Sequence, residues 1–167
     1  HPSEPMQAVF FNTRAFEVIA RVENIPAKKK ERDVKSEIIQ SLMKVSGIGI
    51  EHTSDFTENL TFNTYNEPLR YKGNFAINDK NIKSMPYKIE IIVGDFSALR
   101  ANIVSLANFP DKVYGDVILL KTRKLEGLEG LPKNIEGNLY LDKHLFDEYG
   151  EMKIRKMSKI DGEIISQ

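Results

Sequence analysis

The stretch from Leu128 to Leu141, "LEGLPKNIEGNLYL", decides how this chain is read. A second copy, "LANFPDKVYGDVIL", runs from Leu106 to Leu119, so the placing of Pro, Gly and alternating apolar residues is a repeat. Aligning outward on the glycines gives "YKGNFAI" at Gly73, "IVGDFSA" at Gly94, "VYGDVIL" at Gly115 and "IEGNLYL" at Gly137, at spacings of 21, 21 and 22 residues. The connecting segments keep the same phase. Ile82 and Met85 correspond to Ile103 and Leu106, and these to Leu125 and Leu128. Phe109-Pro110 and Leu131-Pro132 match each other, whereas the earlier copies lack that proline.

Periods in the twenties belong to leucine-rich solenoids, in which each turn lays one short parallel strand beside the last and no turn buries its apolar edge alone. The strand is expected after each glycine. Phe75 and Ile77, Phe96 and Ala98, Val117 and Leu119, and Leu139 and Leu141 alternate by two, so they stack into the interior. Gly137 marks a tight turn into the strand, where unusual dihedrals or close approach exclude a side chain, and Pro132 fixes the turn before it. The same alternation sends Ile118, Leu120 and Tyr140 outward. Earlier turns carry Asn74, Ala76, Asp95 and Ser97 at outward positions, so the late turns alone present an apolar patch. Such a patch needs a cover: a partner, the C-terminal segment or the N-terminal helix.

The repeats resemble the short leucine-rich-like "L-x-x-[LF]-P-x-x-[VI]-x-G-[DN]-[FLV]" units found in proteins of large tailed bacteriophages and some bacteria. The resemblance covers roughly the central half of the chain. It implies a small accessory protein, of the kind phages direct at host machinery, and is specific to a repeat type without fixing a molecular function.

Before the repeats, "QAVFF" and "AFEVIARVENI" read as a strand and a short helix, or as two strands. In "KKKERDVKSEIIQSLMKVSG", Val34, Ile38, Leu42 and Val45, with Ile39 beside them, form one helical stripe that stops at Gly47. "IGIEHT" and "ENLTFNTY" read as strands. After Leu141 the period is lost, and Asp161-Gly162 between apolar flanks signals a two-residue hairpin that would cap the solenoid. The fold expected is α+β: an N-terminal α/β subdomain (6–66) packed on a leucine-rich-like repeat segment with one strand per turn (67–142), closed by a C-terminal cap hairpin (143–167). His1–Pro5, ahead of Met6, are set aside as an expected non-native remnant.

Composition narrows the partners. Lys plus Arg equals Asp plus Glu at 24 each, which argues against bulk duplex nucleic acid or an anionic membrane as a dominant partner. The absence of cysteine removes disulfides, thiolate zinc sites and cysteine nucleophiles. With no long apolar run and no leader-like start, a cytoplasmic protein is expected, in the host cytoplasm if phage-encoded.

No catalytic constellation or metal-ligand spacing is legible, and no small-molecule cofactor is expected. His52 and His144 lie in no ligand motif, and Asp147 and Glu148 beside His144 read as a solvated acid cluster. Gly47 and Gly49 follow a helix and precede a strand, the wrong order for a phosphate loop. Lys28, Lys29 and Lys30 sit at a helix start, where positive charge is mildly unfavourable; they are either solvated or a local anion contact. The expected function is therefore a non-enzymatic interaction module that binds a host enzyme or regulator and modulates or inhibits it with a rigid surface. The alternative is a nucleic-acid-binding regulator that uses local basic patches.

Overall fold

The computed structural model describes residues 27–62 and 68–167, with side chains from Asp33 onward. The expected strand and helix before Pro26 lie outside the described residues. The chain divides into two units, His1–Glu37 and Ile38–Gln167. The first contains the start of helix α1 (Ala27–Ser46), and the second contains its end and all the described strands.

Within the second unit, α1 ends as its stripe predicts. Leu42 and Val45 are buried, and Gly47 takes a left-handed φ of 70° that any residue with a Cβ adopts only at a steric cost. "IGIEHT" is helical rather than extended: a single 3-10 turn (Ile50–His52) leads into α2 (Thr53–Glu58). Ile48 packs against the core while Ile50 is left exposed, so the two do not share the inward face that strand alternation would give them. Strand β1 (Leu60–Thr61) then places Leu60 in the core.

Each repeat contributes two strands, not the expected one. β2 (Arg70–Lys72), β4 (Ile91–Val93), β6 (Lys112–Val113) and β8 (Asn134–Ile135) precede the glycines. β3 (Phe75–Ala76), β5 (Phe96–Ser97), β7 (Val117–Leu119) and β9 (Leu139–Leu141) follow them. The first set pairs in parallel within one sheet and the second set within another. The segment before each glycine also alternates, with Tyr71, Ile92, Val113 and Ile135 buried, so the chain coils between two facing sheets. β1 closes the first sheet by pairing antiparallel with β2.

The C-terminal hairpin is also corrected. β10 (Lys159–Ile160) and β11 (Ile164–Ser166) do not pair with each other; they pair in parallel with β8 and β9. They form a fifth turn in which Gly162 stands where the earlier glycines stand. Two helices missed by the periodicity, α3 (Lys143–Tyr149) and α4 (Glu151–Met157), replace the irregular connector of earlier turns and bury Leu145 and Ile154. That longer connector moves Gly162 out of phase and hides the fifth copy.

Why the repeat reads G-[DN] is plain from the backbone. Gly115 N–H donates to Gly94 O at 2.9 Å, and Gly137 N–H to Gly115 O at 3.1 Å. A Cβ on Gly137 would lie 2.5 Å from the Gly115 carbonyl, inside contact distance. The next residue supports its own ladder. Asn74 Oδ1 accepts from Asp95 N–H, Asp95 from Asp116, Asp116 from Asn138 and Asn138 from Glu163, at 2.7–2.9 Å. Inside, Phe75 stacks on Phe96 with centroids 6.1 Å apart, Phe109 meets Phe96 edge-on, and Tyr71 joins Phe75 to Phe56. Burial pushes the Tyr71 phenol pKa up.

Candidate functional site: one face of the second sheet

Two outward rows run across the sheet β3-β5-β7-β9-β11. In the first, Ala76, Ser97, Ile118, Tyr140 and Ile165 are successive register partners. Ile118 lies between buried Val117 and Leu119, and Tyr140 between buried Leu139 and Leu141, so both are half-buried on the opposite face. Just beyond the ends of β5 and β7, Leu99 and Leu120 keep the same register, Arg100 N–H donating to Leu120 O at 2.9 Å. Leu99 is 46% exposed. The structure thus brings Ile118, Leu120 and Tyr140 onto one face as expected from alternation.

Sequence reasoning missed two members of this group. Leu99 carries the same signal as Leu120, one repeat earlier. Ile165 was hidden because the hairpin reading removed it from the repeat. With both included, an apolar stripe of five residues spans four strands.

The stripe has charged borders of opposite sign. Along the leading edge, where the strands begin, stand Asp95, Asp116 and Glu163, the ladder residues of three turns. Along the trailing edge Arg100 and Lys121 are exposed, each directly after an outward leucine, and Lys143 follows Asp142 one turn later. Asp142 itself is occupied, accepting from Lys121 N–H at 2.6 Å and Thr122 N–H at 2.8 Å. It holds the trailing edge in shape.

The opposite sheet offers a different surface. Val93 and Tyr114 are exposed there, but the charges around them are paired. Lys112 Nζ lies 2.8 Å from Glu136 and 4.1 Å from the Tyr114 ring centroid, and Asp111 sits between Lys88 at 2.9 Å and Lys133 at 3.5 Å. Partial burial pushes the Asp111 carboxyl up, but Lys88 and Lys133 together hold it below the usual carboxylate range. The Glu136 hydrogen bond, aided by Tyr114, raises the Lys112 ammonium.

The remaining sequence candidates are dispersed. Lys28, Lys29 and Lys30 fall in the first turn of α1, and their side chains lie outside the described residues. The alternative reading by local basic patches would also draw on the basic residues of α4 and β10, where Arg155 binds Glu151, Lys159 lies 3.5 Å from Asp161, and Lys153 covers the Tyr149 ring. His144 is exposed on α3, where Asp147 pairs with Lys143 at 3.1 Å. His52 borders a cleft of about 460 Å³ with Ile48, Asp55, Phe56 and Tyr71; its Nδ1 is 3.6 Å from Asp55 and its side chain is well exposed. Among the described residues, no group of three or more His, Asp or Glu is placed to hold a metal, and no helix is long and apolar enough to cross a membrane.

No family model, curated protein or solved structure matches the chain.

Proposed function

We propose that the repeats form a short solenoid of the leucine-rich-like kind, and that the protein is a non-enzymatic protein-interaction module. In this reading it is a phage-type accessory protein that binds a host enzyme or regulator in the host cytoplasm and modulates it by covering part of its surface. The likeness of the repeats to phage proteins supports the setting. One observation supports the function: Leu99, Ile118, Leu120, Tyr140 and Ile165 form a contiguous apolar stripe on a sheet whose backbone is braced by two hydrogen-bond ladders. Rigid apolar anchors with a charged rim match the anatomy of protein interfaces, in which a few central residues carry most of the affinity.

The test is affinity capture from a bacterial lysate with the wild-type protein and a Tyr140→Ala, Ile118→Asn variant side by side. A protein retained by the first and lost from the second, identified by mass spectrometry, is the expected result. Equal retention by both would move the binding surface elsewhere. Recovery of nucleic acid alone would favour a nucleic-acid-binding regulator, and its affinity would then fall steeply with salt.

A further inference from the structure

The geometry points to a partner of defined polarity: a protein segment that sets carboxylates against Arg100 and Lys121, apolar side chains over the stripe, and cations toward Asp95 and Asp116. This rests on the face just described being the binding surface, and adds which chemistry it selects.

Three observations support it. The first is the backbone at the trailing edge. Arg100 and Lys121 occupy corresponding positions of successive repeats with φ of 60° and 58°, in the left-handed region that glycine or asparagine takes most readily. Where the chain needs that conformation elsewhere in the repeat it uses those residues, Asn108 and Gly130, at φ of 61° and 95°. At the edge of the apolar stripe it instead carries two long cations, in spite of the steric penalty. Asn108 has a structural task, its side-chain amide donating to Met85 O at 2.9 Å. Arg100 and Lys121 project into solvent.

The second is the order of the charges. Strand neighbours lie about 4.8 Å apart and residues about 3.3 Å apart along a strand, so the acidic and basic borders are separated by roughly 15 Å across the stripe. Lys143 extends the basic border by one turn, though it shares its charge with Asp147. Glu163 extends the acidic border on the fifth turn. A chain that is neutral overall therefore has a dipolar face. Opposed fields of this kind set orientation and exclude partners of the wrong charge order.

The third is the character of the stripe. Leu99, Ile118, Leu120 and Ile165 are aliphatic and offer no stacking platform, whereas single-stranded nucleic acid needs aromatic faces in a continuous basic groove. Tyr140 is the one aromatic residue of the stripe, and Asp95 and Asp116 would repel a phosphate backbone. A protein segment satisfies all three zones.

A displayed library of random 12-residue peptides, selected in parallel on the wild-type protein and on an Arg100→Glu, Lys121→Glu variant, tests this. Wild-type winners should carry Asp or Glu at one end and apolar residues centrally, and should bind the charge-reversed variant at least about tenfold more weakly, a difference of about 1.4 kcal/mol. Winners without an acidic end, or indifferent to the reversal, would overturn the polarity while leaving the binding face intact if Tyr140→Ala still abolished their binding. Winners indifferent to Tyr140→Ala as well, or no enrichment at all, would overturn both. A fluorescein-labelled 20-nucleotide thymidine strand serves as the other arm. Binding that is lost in the reversed variant would assign the trailing edge to nucleic acid and overturn the proposal.

Discussion

Arg155 closes the last turn by bonding to Ile160: its Nη1 donates to Ile160 O at 2.9 Å, while Nη2 reaches Gly162 O at 3.3 Å. In inner turns the equivalent carbonyls, those of Ile135 and Gly137, accept the amides of Asp161 and Gly162. The guanidinium therefore takes the acceptors a further parallel strand would take, and Glu151 fixes it from behind at 2.9 Å. Arg155→Met keeps the aliphatic stem and removes the donors. It should destabilise the protein by about 1–3 kcal/mol, read as a lower denaturation midpoint, and speed amide exchange in 159–162. An unchanged midpoint would mean that water satisfies these carbonyls equally well.

The glycine ladder gives a sharper expectation than the sequence did. At Gly137 the sequence leaves unusual dihedrals and close approach both open; the structure selects close approach, there and at Gly115. A Cβ at Gly115 would stand 2.7 Å from the Gly94 carbonyl, and that at Gly137 2.5 Å from the Gly115 carbonyl. Alanine should therefore be nearly as disruptive as valine, each costing roughly 2–4 kcal/mol as overpacked sites. Gly150 is the control: its φ is 72° but nothing lies within 4 Å of a Cβ, so Gly150→Ala should cost about 1 kcal/mol. Equal losses at Gly137 and Gly150 would point to conformation rather than contact.

Asp116 illustrates a position where shape outweighs charge. Its Oδ1 accepts from Asn138 N–H at 2.7 Å, and the same role falls to Asn at 74 and 138. Asp116→Asn should leave the melting temperature nearly unchanged, whereas Asp116→Ala strands the amide and should cost about 1–2 kcal/mol. A large loss in the Asn variant would show that the charge itself is structural.

These cases mark what the sequence disclosed. The constant spacing from Gly73 to Gly137 disclosed the repeat, and alternation disclosed which of Leu139, Tyr140 and Leu141 face inward. The strand before each glycine was less visible because it carries one buried side chain, such as Ile92 or Val113, where the segment after the glycine carries two, such as Val117 and Leu119. The fifth turn was obscured by a local rule: Asp-Gly between apolar flanks is a hairpin signal, but here Ile160 pairs with Ile135 of β8 and Ile164 with Leu139 of β9, and not with each other. The charged borders were illegible for a different reason. Arg100 and Lys121 each stand six residues after a repeat glycine, but they are unremarkable in a chain with balanced charge, and only the structure shows them exposed beside the apolar stripe.

Acid should weaken the first sheet through Asp111. Its folded-state pKa lies below the unfolded one, so the stabilisation is present above the ordinary carboxylate range and is lost as pH falls through the lowered value. Because Asp111 is more than a third exposed, screening limits the effect, and Asp111→Asn should cost under about 1 kcal/mol at neutral pH. The variant should also flatten the acid limb of a stability-against-pH curve and respond less to added salt. An acid limb identical to wild type would assign acid sensitivity to other carboxylates.

Leu139 and Tyr140 are adjacent in sequence and opposite in role. Leu139 is fully buried between the rows set by Val117 and Ile164, so Leu139→Ala should cost roughly 2–5 kcal/mol through lost transfer energy and a residual cavity. Tyr140 is half-buried on the outer face beside Ile118 and Ile165, and no core row depends on it. Tyr140→Ala should therefore lower stability by less than about 1 kcal/mol, while weakening partner binding by at least about 1–2 kcal/mol if it is a central anchor. Calorimetry on both variants separates the roles before any partner is known. A Tyr140→Ala loss matching that of Leu139→Ala would mean that the outer face is covered by the chain itself, because only an intramolecular contact could destabilise the isolated protein to that extent.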